Sequence, residues 1–498
     1  MELTSWQFVA FSVVVVFLFN ASRAARWRAS VLALANVAFI ASHLRAPYQA
    51  LALAAMLVGG YVATLVVRRW NSRAVVGLCI ALVVVGFLYL KHYSFMSFVP
   101  TLPFLYLVLG LSYILFRIIH LIVDTASGDV GEPIAVWEYF NYTCNFLTFI
   151  SGPIQRFQDY RADAEAARTL ETADVDEGMR RVIWGYFKIL AVSATANAVF
   201  FKLSPALLQP DAHPALASAC ARYVATAAIY TVFLYYNFSG FIDVVIGFAR
   251  LLGMRLPENF NKPFLAGNFL DFWGRWHMTL SNWFRDYMFN PLLAALMSRF
   301  ENPRLAPWFG VFGFFVTFAV MGIWHGATPV FVAYGLAMGL GASVNKAFKL
   351  FMAARLGRAR YRDLCKAQWY VYLCRGLTFA YFTMGVTALW VDMAQLATLG
   401  HALGVVGALA AFVALSVLGT VSFIAADLAL AGLAAVAAFA GIGHKANSAS
   451  AASTANDAAR GRFARPLAAA FALAGVLLVT LAVNTLYTQP PEFVYRAF

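Results

Sequence analysis

The chain has 498 residues, of which 62% are hydrophobic and 12% charged, with a mean hydropathy of +0.72 and a formal charge of +14. Such a chain is too apolar for a soluble globule and long enough for many bilayer crossings, so an all-α, polytopic membrane protein is predicted. The basic excess lies in short loops between apolar runs, where anionic headgroups and the positive-inside rule favour it, which argues against nucleic acid as a partner.

The opening Met-Glu-Leu-Thr-Ser-Trp lacks the basic region of a cleavable signal. Arg23, Arg26 and Arg28 follow the first apolar run, which reads as a retained span with its N-terminus outside. Spans are predicted near 5–21, 31–44, 49–67, 75–92 and 103–123, placing Arg68, Arg69 and Arg73 on the same cytoplasmic side as the first arginines. Phe140 to Ile150 is short and ends at Ser151-Gly152-Pro153, the pattern of a re-entrant piece. Residues 156–181 carry both charge signs and read as a partly helical solvated loop, with a docking surface for a soluble partner as the alternative.

Further spans are predicted near 182–203, 222–250, 309–324, 330–348, 371–391, 403–418 and 421–440. Residues 251–300 mix charge with Phe and Trp and read as short amphipathic helices at or inside the membrane interface. The small, polar, basic stretch 441–465 reads as a flexible cytoplasmic linker between a membrane domain, 1–440, and an appended segment, 466–498. The last apolar run, Leu467 to Tyr487, then delivers Phe493-Val494-Tyr495-Arg496-Ala497-Phe498 to the outer face.

The five cysteines form no CxxC and no Cys/His cluster with zinc spacing, so neither a disulfide framework nor a metal site is predicted. Two histidines stand beside tryptophans, in Trp276-His277-Met278 and Trp324-His325-Gly326, 48 positions apart. A titratable ring at bilayer depth is costly and marks a functional cavity, unless it only bonds a neighbouring helix. His277 is open to that structural role, and so are Asn237, Asp243, Asp271 and Arg275. Imidazole suits general-base work near neutral pH, and no Gly-x-Ser-x-Gly elbow supplies an internal serine nucleophile.

Together with Asn-Phe-Asn-Lys-Pro-Phe at 259–264 and Asp-Phe-Trp-Gly-Arg-Trp-His at 271–277, these strings resemble the signature of the membrane-bound O-acyltransferase superfamily. Tyr-Tyr-Asn-Phe-Ser-Gly-Phe-Ile-Asp at 235–243 and Ser-Gly-Pro-Ile-Gln-Arg-Phe at 151–157 resemble pieces of its bacterial branch. The resemblance implies a fold with a central tunnel, His325 as the catalytic histidine and His277 as a second polar position facing the tunnel. Asn237, Asp243, Arg275 and Trp324 are then candidates for lining or positioning. The terminal Phe-x-Tyr-x-x-Phe resembles the acyl-accepting membrane peptide of D-alanylation systems, here fused to the body. By that resemblance Tyr495 accepts the acyl group, and Phe493 and Phe498 anchor the tail. An aromatic belt residue after a terminal span is the alternative for Tyr495.

The expectation is therefore an enzyme of the bacterial cell membrane that takes D-alanyl from a phosphopantetheine thioester on an acyl carrier protein at the cytoplasmic mouth. It passes the group through Tyr495 to an extracytoplasmic transferase partner and an envelope polymer. The phosphopantetheine belongs to the carrier, so no permanent cofactor is expected. Three alternatives stay open: O-acetyl transfer for alginate, cellulose or peptidoglycan, a proton-coupled transporter or flippase, and a catalytically idle scaffold.

Overall fold

A computed structural model of the chain describes residues 1–166, 169–208 and 215–439. The predicted linker and appended segment, with Phe493, Tyr495 and Phe498, lie outside the described residues.

Apolar runs in lipid must satisfy their own backbone, and here they do so as helices. The N-terminal group comprises α1 (Trp6–Asn20), α2 (Ala25–Ala41), α3 (Leu51–Arg69) and α4 (Arg73–Lys91). Ser5 caps α1 by accepting from Phe8 N, and Ser72 caps α4 by accepting from Val75 N. The buried α5 (Leu111–Ser127) is followed by α6 (Val136–Thr143) and a non-helical stretch to residue 156. After α7 (Phe157–Ala166), α8 (Thr172–Phe187) continues through a π-helical turn, Lys188–Ser193, into α9 (Ala194–Leu203). The long α10 (Leu216–Leu251) is the most buried of the membrane-length helices.

Short helices fill the next stretch: α11 (Phe269–Trp273), α12 (Met278–Phe284), a π-helical turn Arg285–Phe289 and α13 (Asn290–Arg299). The C-terminal group is α14 (Ala306–His325), α15 (Pro329–Leu356), α16 (Arg358–Leu364), α17 (Gln368–Gly385) and α18 (Met393–Phe439). Among the described residues, six helical stretches are long and apolar enough to cross a bilayer: Pro47–Arg69, Arg73–Lys91, Thr172–Leu207, Leu216–Leu251, Ala306–His325 and Met393–Leu433. The chain is an all-α, polytopic membrane protein, and residues 251–300 form the short helices expected there.

Four expectations need correction. Helix α2 starts at Ala25 rather than near 31, so Arg26 and Arg28 lie in its first turns, and Arg28 is buried 5.0 Å over the Phe19 ring. Helix α5 starts only at Leu111, after the left-handed Gly110 (φ 82°), because prolines at 100 and 103 break the run predicted from 103. The charged stretch 156–181 is more helical than a loop, supplying α7 and the start of α8, which packs on α10, while most of its described residues stay at least partly exposed. The two spans expected at 403–418 and 421–440 are one helix, α18, kinked only at Gly404. Its small residues near 416–420 are a crossing point rather than a loop. A Cβ on Gly376 of α17 would lie 2.4 Å from Ser416 O and 2.1 Å from Thr420 Oγ1.

Close helix contact also sets the frame of the site. A Cβ on Gly240 of α10 would meet Gly185 O of α8 at 2.7 Å, and one on Gly322 of α14 would meet Gly335 Cα of α15 at 2.3 Å. At both crossings only hydrogen fits between the backbones, as small residues permit in lipid.

Candidate active site

The Trp276-His277 string is joined to the neighbouring motif by backbone first. Phe260 and Trp276 form an isolated antiparallel bridge. Asn261 N donates to Arg275 O at 2.9 Å and Met278 N to Asn259 O at 2.9 Å. This clasp makes one unit of 259–264 and 271–277. Its apolar side is aromatic: Trp276 packs against Phe260, Phe272 and Phe382 with centroids 5.1, 5.6 and 4.8 Å apart.

The polar side converges on Asn259. Its Oδ1 accepts from Thr279 N (3.1 Å) and Thr279 Oγ1 (2.8 Å), and lies 3.3 Å from His277 Nδ1. Thr279 Oγ1 in turn accepts from Ile154 N at 3.1 Å, which brings in the Ser-Gly-Pro-Ile-Gln string. Phe238, from the Tyr-Tyr-Asn-Phe-Ser-Gly string on α10, faces the His277 ring at 4.8 Å. Four strings scattered over residues 151–279 therefore meet around one imidazole.

His277 is 1% exposed and sits just before α12 with φ 45° and ψ 52°. This left-handed backbone is unfavourable for a residue with a Cβ and persists where surroundings over-determine it, often at functional sites. The segment is not one of the spanning helices. Burial holds its imidazole well below the usual histidine range, and the nearby His325 adds to that, so the ring is neutral at physiological pH.

His325 is the last residue of α14 and 3% exposed. Its ring lies between Trp324, 4.8 Å away, and Tyr334 of α15, 5.4 Å away and nearly perpendicular. The helix stops there because Gly326 is extended and Phe331 approaches to within 2.1 Å of where a Cβ would stand. Ala327 O accepts from Ser94 N at 3.0 Å, so the connection between α4 and α5 closes over this turn. His325 lies near enough to His277 for a charge on one to act on the other.

The remaining predicted positions divide. Trp324 packs between His325 and the Phe116 ring, 4.9 Å away, and its buried Nε1 makes no hydrogen bond among the described residues. Asn237 is buried on α10 beside Phe238. Asp243 forms ion pairs with Lys188 (2.5 Å) and Arg181 (3.5 Å), joining α10 to the α8 side. Arg275 pairs with Asp271 at 2.9 Å and is half-buried. Tyr495, Phe493 and Phe498 lie outside the described residues.

Some supporting residues have no visible signature in the sequence. Arg117 of α5 is 2% exposed and donates to Thr143 O (2.6 Å), Thr148 O (2.8 Å) and Thr148 Oγ1 (2.5 Å), fixing the segment after α6. Tyr113 and Ser151 share a further hydrogen bond of 2.8 Å. His120 accepts from Phe157 N at 2.9 Å on Nε2, which puts its proton on Nδ1, 2.6 Å from Tyr287 Oη. Tyr287 Oη donates to Asp124 at 2.7 Å, and Arg156 contacts both Tyr287 and Asp286. His120 thus has a structural part, binding the 151–157 string to the π-helical turn.

A cavity of about 230 Å³ lies against α14, lined by Ser281, Asn282, Arg285, Thr317, Phe318 and Met321 among others. Met321 is one helical turn before His325, on the same face.

Fold and site together define a multi-pass membrane protein with two buried histidines, one at a helix end and one in the 259–279 clasp. A family model described as MBOAT, membrane-bound O-acyltransferase family, matches residues 130–386, more than half of the chain. The chain belongs to the membrane-bound O-acyltransferase family. It is 29% identical over 280 residues to "Teichoic acid D-alanyltransferase" of Bacillus subtilis (strain 168), covering 56% of this chain and 67% of that one. It is 28% identical over 247 residues to the protein of the same name from Streptococcus thermophilus, covering 48% and 57%. It is 30% identical over 248 residues to "Probable alginate O-acetylase AlgI" of Pseudomonas aeruginosa, covering 50% and 44%. The chain thus spans 44% to 67% of the length of these relatives.

Proposed function

We propose that the chain moves a D-alanyl group from a carrier-bound thioester through a bacterial cell membrane to an envelope polymer. The observation that supports this is the meeting of four sequence-distant strings around His277, beside a helix that ends on the buried His325. In this reading an acyl carrier protein docks on the cytoplasmic face. Its phosphopantetheine arm, the donor substrate, enters along the cavity beside α14, whose Met321 lies one turn from His325.

The Tyr495 phenol attacks the thioester carbonyl carbon, and His325 takes the phenol proton as the new C–O bond forms. The C–S bond breaks, and the leaving thiolate recovers that proton. The result is an aryl ester on Tyr495 and a free carrier thiol. A phenol pKa near ~10 lies close enough to a thiol's ~8.5 that the ester stays activated for transfer to an extracytoplasmic transferase partner. Neutral His277 positions the donor without adding charge to a water-poor site. The chain itself carries no resident cofactor.

The choice of D-alanyl rests on the terminal Phe493-Val494-Tyr495-Arg496-Ala497-Phe498 pattern and on relatives named as teichoic acid D-alanyltransferases. Relatives named as probable alginate O-acetylases favour a second reading, O-acetyl transfer to a polysaccharide such as alginate, cellulose or peptidoglycan. Peptide mass spectrometry of the purified chain after incubation with carrier protein charged with D-alanine or with acetyl separates the two. An adduct on Tyr495 that is lost in His325→Ala supports the relay, and its mass names the cargo. Polymer acylation without an adduct means direct transfer, and proton-driven flux with no acyl transfer at all overturns the enzyme reading.

A further inference from the structure

Away from the histidines, a groove of about 820 Å³ lies between α15, α16 and α17, lined also by Gly267 to Phe269 and by Phe412 of α18. That volume is at the upper end of the roughly 300–1,000 Å³ of small-molecule sites. Its walls are apolar and open: Leu340, Val344, Phe348, Leu373 and Leu377 all line it and are exposed. The groove therefore faces the hydrocarbon rather than an internal chamber.

Its charge is confined to one end and has one sign. Lys349, Arg358 and Arg362 line it, and among the described residues no Asp or Glu does. Residues 345–366 hold seven Lys or Arg against the single Asp363. Asp363 pairs with Lys366 at 3.7 Å, and the nearby Asp271 pairs with Arg275. Gly357, with φ 81°, makes the reversal that folds α16 back, so Arg358 and Arg362, one turn apart, share a face of α16. This end belongs to the basic side of the membrane: α14 and α15 are antiparallel, and their other ends meet at His325 beneath the outer connection of α4 to α5.

We infer that this groove is a specific site for an anionic glycerophospholipid of the cytoplasmic leaflet, its acyl chains along Val344, Phe348, Leu373 and Leu377 and its phosphate against Lys349, Arg358 and Arg362. An apolar cleft with a cationic end complements such a lipid in both parts, whereas a zwitterionic lipid brings its own cation to the same place. The site bears on α11 and the clasp that follows it. Phe269 lines the groove and packs on Tyr381 with centroids 5.1 Å apart, and Asn345 accepts from Leu270 N at 3.4 Å. The bound lipid braces the stretch that leads to His277. The inference does not depend on which acyl group is transferred.

Native mass spectrometry of the full chain, released from mixed micelles containing equal phosphatidylglycerol and phosphatidylcholine, tests it. One phosphatidylglycerol is expected to be retained at least tenfold over phosphatidylcholine. Lys349→Gln/Arg358→Gln/Arg362→Gln should lose that preference, and Val344→Trp, which fills the groove without changing charge, should displace the lipid. Arg299→Gln/Arg304→Gln, exposed arginines outside the groove, should keep it. Equal retention of the two lipids, or unchanged preference in both groove variants, overturns the site.

Discussion

Thr279 Oγ1 lies 2.8 Å from Asn259 Oδ1 and 3.1 Å from Ile154 N, so one hydroxyl ties together segments 20 and 125 residues away. Thr279, Asn259 and Ile154 are all buried, so a lost bond leaves a buried polar group to be satisfied. Thr279→Val keeps the shape and removes both bonds. It should cost about 1–3 kcal/mol, read as a lowered thermal midpoint in detergent, with Thr279→Ser close to the parent.

The left-handed backbone of His277 separates the role of its ring from the strain of its Cβ. His277→Ala and His277→Gly both remove the imidazole, but glycine tolerates φ 45° and alanine does not. His277→Gly should be more stable than His277→Ala by about 1–2 kcal/mol, while the two share whatever loss of transfer the missing ring causes. Equal stabilities would mean that the turn relaxes when the ring is gone.

His325→Ala should lower acyl transfer by roughly 10²–10⁴-fold, the range for a positioned general base. Because the His325 ring fills the space between Trp324 and Tyr334, His325→Gln is the matching variant that keeps more of the packing, and it should lose transfer to a similar degree with a smaller fall in thermal midpoint. Retention of near-parental transfer in single-turnover measurements with charged carrier would remove His325 from the chemistry.

His277 also sets an expected pH dependence. Its folded-state pKa is depressed by burial and by His325, so the unfolded or opened segment binds a proton that the folded one does not. Stability of the 259–279 clasp should therefore be complete above about pH 6.5 and decline as the pH falls below it. Hydrogen exchange at the Asn261 and Met278 amides, compared at pH 7.5 and 5.5, should show faster opening in acid. In His277→Gln that difference should shrink.

Gly335 packs on α14 with a would-be Cβ 2.8 Å from both Gly322 Cα and Phe318 O. Gly335→Val must push α15 away from α14, at a cost of about 1–3 kcal/mol or more, and carry Tyr334 off the His325 ring. Loss of transfer should accompany the loss of stability. A variant that kept full transfer would show that the Tyr334 contact does not locate the histidine.

Much of the architecture was legible because hydropathy and the spacing of polar strings are local properties. The short helices of 251–300 could be read directly, since their mixture of charge with Phe and Trp suits neither a span nor a solvent loop. What was not legible depended on partners far along the chain. Arg117 looks like a charge misplaced in an apolar run until Thr143 and Thr148 supply the carbonyls that absorb it. Asp243 is open to a structural or a positioning role until Lys188 and Arg181, 55 and 62 residues earlier, close on it. The supposed break near 419 in α18 is polar only in composition. Ser416 Oγ donates to Phe412 O at 2.8 Å, Thr420 Oγ1 to Tyr372 O at 3.4 Å, and the helix runs on. Asn259 stood inside a recognised string, but its central place came only with the clasp.

The bond from Ser94 N to Ala327 O involves no side chain at either end. The cover over the His325 turn is therefore indifferent to which amino acid occupies position 94, with one exception. Proline has no N–H and would delete the bond outright. Random substitution at this position should yield a nearly flat profile broken by a single intolerant residue, a pattern that would mark the spot as a backbone latch in any collection of functional variants.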